Sequence, residues 1–334
     1  IDQKFNHGYL AVDFFFILSG FVIGYAYDDR WKTMTVKDFI KRRVIRLHPM
    51  VVMGAVIGAV MFYFQGCPVW DVTKVTVAAL LLATFVNALL IPATPGTEIR
   101  GLGEMYPLNG PSWSLFFEYI GNILYALIIR KFSTKALAVL VVAAGCGLAA
   151  FSIFGPYGDI CAGFSLTGTE FTGGFFRLLY AFSAGLLLSR VFKPARVRGA
   201  FWKCSLLVII LLAVPRLGGA DRLWMNGLYD TVCFALFFPL IVYWGASGKI
   251  TDRYTNRVCK FLGDISYPLY MVHYPFIYLY YGWVKNEELT FGESLPGALA
   301  VVVGSILLAY ICLKLYDEPV RRYLANRFLK SKKR

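Results

Sequence analysis

Apolar runs long enough to cross a lipid bilayer recur from one end of this 334-residue chain to the other. A hydrocarbon core of about 30 Å needs about 20 consecutive apolar helical residues. Runs of about that length, or a little under it, cover Tyr9–Tyr27, Val44–Phe64, Val75–Ile91, Trp113–Ile129, Ala136–Phe154, Phe175–Val191, Phe201–Pro215, Leu228–Trp244, Ile265–Trp283 and Leu295–Leu315. The chain is 58% hydrophobic and 16% charged, against about 45–50% and about 25% in ordinary soluble domains. Its charges gather between the apolar runs and leave no material for a polar shell. The expectation is an all-α, polytopic transmembrane helical bundle of about 9–10 membrane helices. It forms one integral membrane domain over residues 1–334, without a soluble insert.

The net charge of +14 does not point to nucleic acid, because a DNA or RNA reader has no need of repeated spans. Basic clumps beside apolar runs read instead as cytoplasmic anchors. Such clumps occupy Asp28–Pro49, Arg130–Lys135, Arg190–Lys203, Lys249–Lys260 and the tail from Arg321 to Arg334, whereas Gly155–Gly174 has no Lys or Arg. The alternation is regular from Arg130 onward and puts the C-terminus in the cytoplasm. Upstream, three runs lie between two clumps on the same side, so one of 44–64, 75–91 or 113–129 fails to cross. Irregular backbone at membrane depth is tolerated only inside protein or beside a watery cavity, which makes this region a pointer to a site. The seven cysteines show no CxxC pair, and neither a disulfide framework nor a metal site is expected.

Polar residues inside the apolar runs are the candidates for chemistry. Asp13 opens the first run, and Ser19–Gly20 lies mid-span; these residues either form a helix-packing seam or line a site. Arg42, Arg43 and Arg46 share a helix face, suited to a phosphorylated ligand or to anionic lipid. In Trp113–Ser114–Leu115–Phe116–Phe117–Glu118, Ser114 and Glu118 face the same way. Glu118 is an intramembrane carboxylate that orients a base, binds a hydroxyl, or pairs with an arginine. Asp264 reads as a helix N-cap with Pro268 in the first turn, followed by Tyr267, Tyr270 and His273 as a polar stripe or an interfacial aromatic belt. Asp317–Glu318–Pro319 with Arg321 and Arg322 closes the last helix.

The order of these blocks resembles the acyltransferase family 3 membrane proteins, the O-acyltransferases of bacterial surface carbohydrates. The resemblance spans nearly the whole chain and implies about ten transmembrane helices, in line with the thickness criterion. It implies acyl transfer, usually acetyl from acetyl-CoA, to a hydroxyl of a glycan or lipid-linked sugar at the bacterial inner membrane, with membrane lipid as surroundings and no metal. On that reading Arg42, Arg43 and Arg46 hold the phosphates of coenzyme A. Glu118, His273 and Asp13 are the catalytic candidates; Ser19, Trp113, Ser114, Tyr267 and Tyr270 line the substrate cavity. Family members carry an Arg and a His on a first helix, the His being the base. This sequence begins at Ile1, after that point, so residues 1–334 alone are expected to show no turnover. His7 does not fit the family's base position, and His48 stands where the family has an aromatic residue. The competing function is a carrier or flippase for a lipid-linked sugar, for which the expected inverted repeat is not seen.

Overall fold

Each of the ten apolar runs forms helix in the computed structural model, which describes residues 5–94 and 96–329. The basic residues Lys330, Lys332, Lys333 and Arg334 of the expected cytoplasmic tail lie outside the described residues. The helices are α1 (Ala11–Tyr27), α2 (Val36–Met61), α3 (Val77–Ala88), α4 (Ser112–Leu127), α5 (Thr134–Phe154), α6 (Gly168–Val191), α7 (Ala200–Ala213), α8 (Trp224–Val232), α9 (Phe238–Ser247), α10 (Arg253–Asn286), α11 (Phe291–Cys312) and α12 (Glu318–Phe328). A π turn, Cys233–Phe237, joins α8 to α9, and a second, Leu313–Asp317, joins α11 to α12. No β-strand occurs among the described residues; isolated bridges are the only extended pairing. The fold is therefore the expected all-α helical bundle.

Among the described residues, seven helical stretches are long and apolar enough to span: Gly8–Arg30, Val36–Gln65, Ser112–Lys131, Thr134–Phe154, Gly168–Val191, Trp224–Ser247 and Phe291–Phe328. Large apolar side chains point outward from them, among them Val139, Val142, Leu299 and Leu307. Water would not tolerate so broad an apolar surface, and the protein is an integral membrane protein. The sequence left open which of three segments fails to cross. α3 has 12 residues, about 18 Å at a rise of about 1.5 Å per residue, well short of the bilayer core of about 30 Å. α2 and α4 both pass on length and composition.

Two compact units make up the chain. The first comprises Ile1–Val36, Phe117–Gly163 and Thr167–Cys259; the second comprises Lys37–Phe116, Phe164–Leu166 and Lys260–Arg334. In the first, α1 and α6 pack backbone to backbone. A Cβ on Gly20 would sit 2.0 Å from the Phe182 carbonyl oxygen, and one on Gly185 would sit 2.0 Å from that of Ile17. Small residues permit this approach where lipid gives helices no hydrophobic reason to associate. In the second, Phe62, Trp70, Leu80, Leu108 and Tyr278 form the core.

Proline placement explains part of the second unit. α10 begins at Arg253, where Asp252 caps it by accepting from the Thr255 amide at 2.7 Å. Asp264, the cap expected from the sequence, is instead an exposed residue inside the helix. The pattern misleads because Pro268 lies within α10, where proline is usually a boundary sign. Pro275 likewise frees the carbonyl of Met271, four residues back, and Asn109 donates its side-chain amide to that oxygen at 2.9 Å. A helix-breaking residue thus becomes the anchor for the Gly- and Pro-rich segment that precedes α4.

Candidate active-site constellations

In the first unit, Glu118 sits on α4 and is buried. Ser19, mid-span on α1, donates to Glu118 Oε1 at 2.5 Å. One turn further along α4, Asn122 donates to the same oxygen at 3.1 Å and to the Glu118 carbonyl at 2.6 Å. A carboxylate in an apolar span is costly unless fixed by donors, and Ser19 and Asn122 are two that fix this one. Ser19 and Glu118, both expected from the sequence, are brought together. Asn122 was not singled out, although its position one turn after an intramembrane Glu is the signal that finds it.

Asp13 has a different setting. Arg177 on α6 grips it with Nε to Oδ1 at 3.0 Å and Nη2 to Oδ2 at 2.8 Å. Both side chains are wholly buried. Two further guanidinium protons go to the carbonyls of Ala162 and Tyr9, at 2.7 and 2.9 Å. A carboxylate held on both oxygens by one guanidinium is committed to that ion pair; the pairing suits positioning of α1 on α6. Arg177 stands inside an apolar run, and that placement alone marks it.

A second polar cluster lies beside this pair. Tyr9 donates its hydroxyl to Asp230 at 3.0 Å, and the Ile160 amide donates to the same carboxylate at 3.1 Å. Arg216 bridges the Tyr9 hydroxyl and Asp159, at 2.8 and 2.7 Å. His7 is buried, with Nδ1 2.8 Å from the Val214 carbonyl and Nε2 3.9 Å from Asp230. Burial first, and then the Arg216 charge, hold the His7 imidazole below its ordinary range. The folded protein therefore keeps His7 neutral where the unfolded chain already takes a proton. The sign follows from linkage: stability contributed by His7 is present above about pH 6.5 and declines as pH falls below it. His7→Gln is expected to flatten the loss of thermal stability between about pH 7 and pH 5 in detergent; an unaltered pH profile would contradict this.

In the second unit, α10 presents Tyr267, Tyr270 and His273. Ser114 Oγ and the Tyr270 hydroxyl lie 2.6 Å apart, so one donates to the other, and the remaining proton has the Pro111 carbonyl within reach, at 3.0 Å from Ser114 and 3.3 Å from Tyr270. His273 Nδ1 lies 3.1 Å from the Leu269 carbonyl and 3.0 Å from that of Tyr270. A carbonyl accepts only, so Nδ1 carries the proton and Nε2 is left as the acceptor nitrogen. Trp113 is buried with its ring edge-on to Phe164 at 5.2 Å. Tyr267 donates to the Leu47 carbonyl at 2.5 Å, and its ring lies beneath the Arg46 guanidinium at 5.9 Å. Arg42 and Arg46 are exposed and Arg43 is half-buried. The expected cavity residues Ser114 and Tyr270 are thus in contact, and Tyr267 meets the arginine cluster.

The first unit thus holds fixed intramembrane carboxylates, and the second a tethered histidine and an arginine face. Residues 2–314 match the family model described as the acyltransferase domain, nearly the full chain, and the protein belongs to that acyltransferase family. Among curated proteins, the chain is similar to "Protein 2 in picA locus" of Rhizobium radiobacter, 37% identical over 125 residues, covering 35% of this chain and 64% of that relative. The chain therefore spans less than two thirds of the relative's length. No solved structure matches.

Proposed function

We propose that the protein is an O-acyltransferase that moves an acyl group, acetyl in the first instance, from acyl-CoA to a hydroxyl of a carbohydrate such as a surface polysaccharide or a lipid-linked sugar. Membership of the acyltransferase family across residues 2–314 is the observation that carries this reading. The basic clumps support a bacterial inner-membrane protein with a cytoplasmic C-terminus. Donor binding then falls to the first turns of α2, where Arg42, Arg43 and Arg46 meet the phosphates of coenzyme A.

The chemistry is an attack by a sugar hydroxyl on the thioester carbonyl. The oxygen–carbon bond forms, the carbon–sulfur bond breaks, and the hydroxyl proton passes by way of a base to the departing thiolate. His273, with Nδ1 tethered and Nε2 as acceptor, has the tautomer a proton shuttle needs. The Tyr270–Ser114 hydroxyl pair can turn one proton from the Pro111 carbonyl to the oxyanion that develops at the thioester carbonyl. In the first unit Glu118, held by Ser19 and Asn122, is a second candidate for the base that takes the hydroxyl proton.

Charge-assisted hydrogen bonds contribute about 1.5–3 kcal/mol each. The double variant Arg43→Gln, Arg46→Gln is therefore expected to raise KM for acetyl-CoA at least about tenfold, with a much smaller change in kcat. The assay is transfer by membrane vesicles from cells that make the protein. An unchanged KM would remove the arginines from the donor site.

A further inference from the structure

The Asp317–Glu318–Pro319 block near the end of the last helix takes no part in the chemistry above, yet its first residue is placed with care. Asp317 closes the π turn Leu313–Asp317. Such a turn carries an extra residue and re-aims the side chains around it. Asp317 is wholly buried, on a stretch whose neighbours Lys314 and Glu318 are partly exposed and pair with each other at 2.5 Å. Neither Asp317 carboxylate oxygen receives a hydrogen bond. Two guanidinium groups act on it instead. Arg321 Nε lies 3.1 Å from Oδ2, and the Arg46 charge bears on the same carboxylate. Arg46 in turn lies over the Tyr267 ring.

A buried carboxylate without hydrogen-bond donors is costly, and one ion pair of this geometry does not offset the cost. The arrangement makes sense if the carboxylate serves the arginines. Exposed Arg42 and Arg46 on α2, with half-buried Arg43 between them, repel one another, and long side chains at a membrane edge sample many rotamers. A fixed negative charge within electrostatic reach of Arg46 limits where that guanidinium points, and a ring beneath it limits its tilt. The same carboxylate holds Arg321, whose Nε lies 3.1 Å from Oδ2.

We propose that Asp317 is a positioning residue for the acyl-donor site, and that Arg321, held by it, is a further phosphate-binding arginine beside Arg42, Arg43 and Arg46. This rests on the acyl-CoA reading of the arginine cluster. The ligand group is a phosphate of the donor's nucleotide moiety, met by paired guanidinium groups with Asp317 between them.

The sign of one substitution separates this from mere proximity. Coenzyme A is titrated calorimetrically into the purified full chain in detergent, at low and moderate salt. Removing a negative charge near bound phosphates should tighten binding on electrostatic grounds alone. Positioning predicts the opposite: Asp317→Asn weakens binding about tenfold although the site becomes more positive. Arg321→Gln is expected to weaken binding by a similar factor and to reduce its dependence on salt. Unchanged or tighter binding by Asp317→Asn overturns the proposal. If that variant does not fold, Arg321→Gln carries the test, and an unchanged dissociation constant overturns it. Failure of the unsubstituted chain to bind coenzyme A would remove the donor site itself, and this inference with it; binding indifferent to both substitutions removes the inference alone.

Discussion

Replacing Arg177 with Met is expected to destabilise the protein by about 3–5 kcal/mol, the range for removing one partner of a buried ion pair. The substitution leaves the Asp13 carboxylate wholly buried with both oxygens stripped of their donors. It also orphans the Ala162 and Tyr9 carbonyls, which Arg177 now satisfies. Adding Asp13→Asn should recover part of the loss, because a neutral amide is less costly to bury than an unpaired charge. Thermal unfolding in detergent of the two single variants and the double variant forms the test. Strict additivity of the two losses would contradict the pairing, since coupled residues deviate by about 0.5–3 kcal/mol.

Glu118→Gln is expected to lower turnover by about 10²–10⁴-fold, the span assigned to a positioned proton-transfer group, while the protein stays folded. The amide fits the same space and still accepts from Ser19, so packing is preserved and the charge is lost. Ser19→Ala should cost less, about tenfold, since Asn122 still holds the carboxylate and one hydrogen bond to a charged group contributes about 1.5–3 kcal/mol. Turnover of Glu118→Gln close to that of the unsubstituted protein would leave the carboxylate with a structural role only.

Much of this architecture is written in local patterns. Ten apolar runs became helices because lipid leaves helix as the way to satisfy an isolated stretch of backbone. Charge parity asked for one non-crossing segment among three, and of those three α3 is the one that falls short in length. Glu118 and Ser19 stood out because polar atoms in apolar spans demand partners. What the sequence did not disclose is which partner each would find. Asp13 and Arg177 are 164 residues apart, and no spacing rule joins them; Arg177 was visible only as an arginine in an apolar run. The start of α10 was misplaced because Pro268 lies within it; farther along, the carbonyl freed by Pro275 is met by Asn109. The burial of Asp317 depends on a π turn, which has no sequence signature of its own.

Transfer of label is the most direct test of the account. Inverted membrane vesicles from cells that make the protein, supplied with isotopically labelled acetyl-CoA, should place the label in ester linkage on the vesicle carbohydrate. Glu118→Gln vesicles should place almost none there. Ester label on carbohydrate that is equal in both, or absent from both while lipid-linked sugar still crosses the membrane, would contradict acyl transfer and leave a carrier in its place.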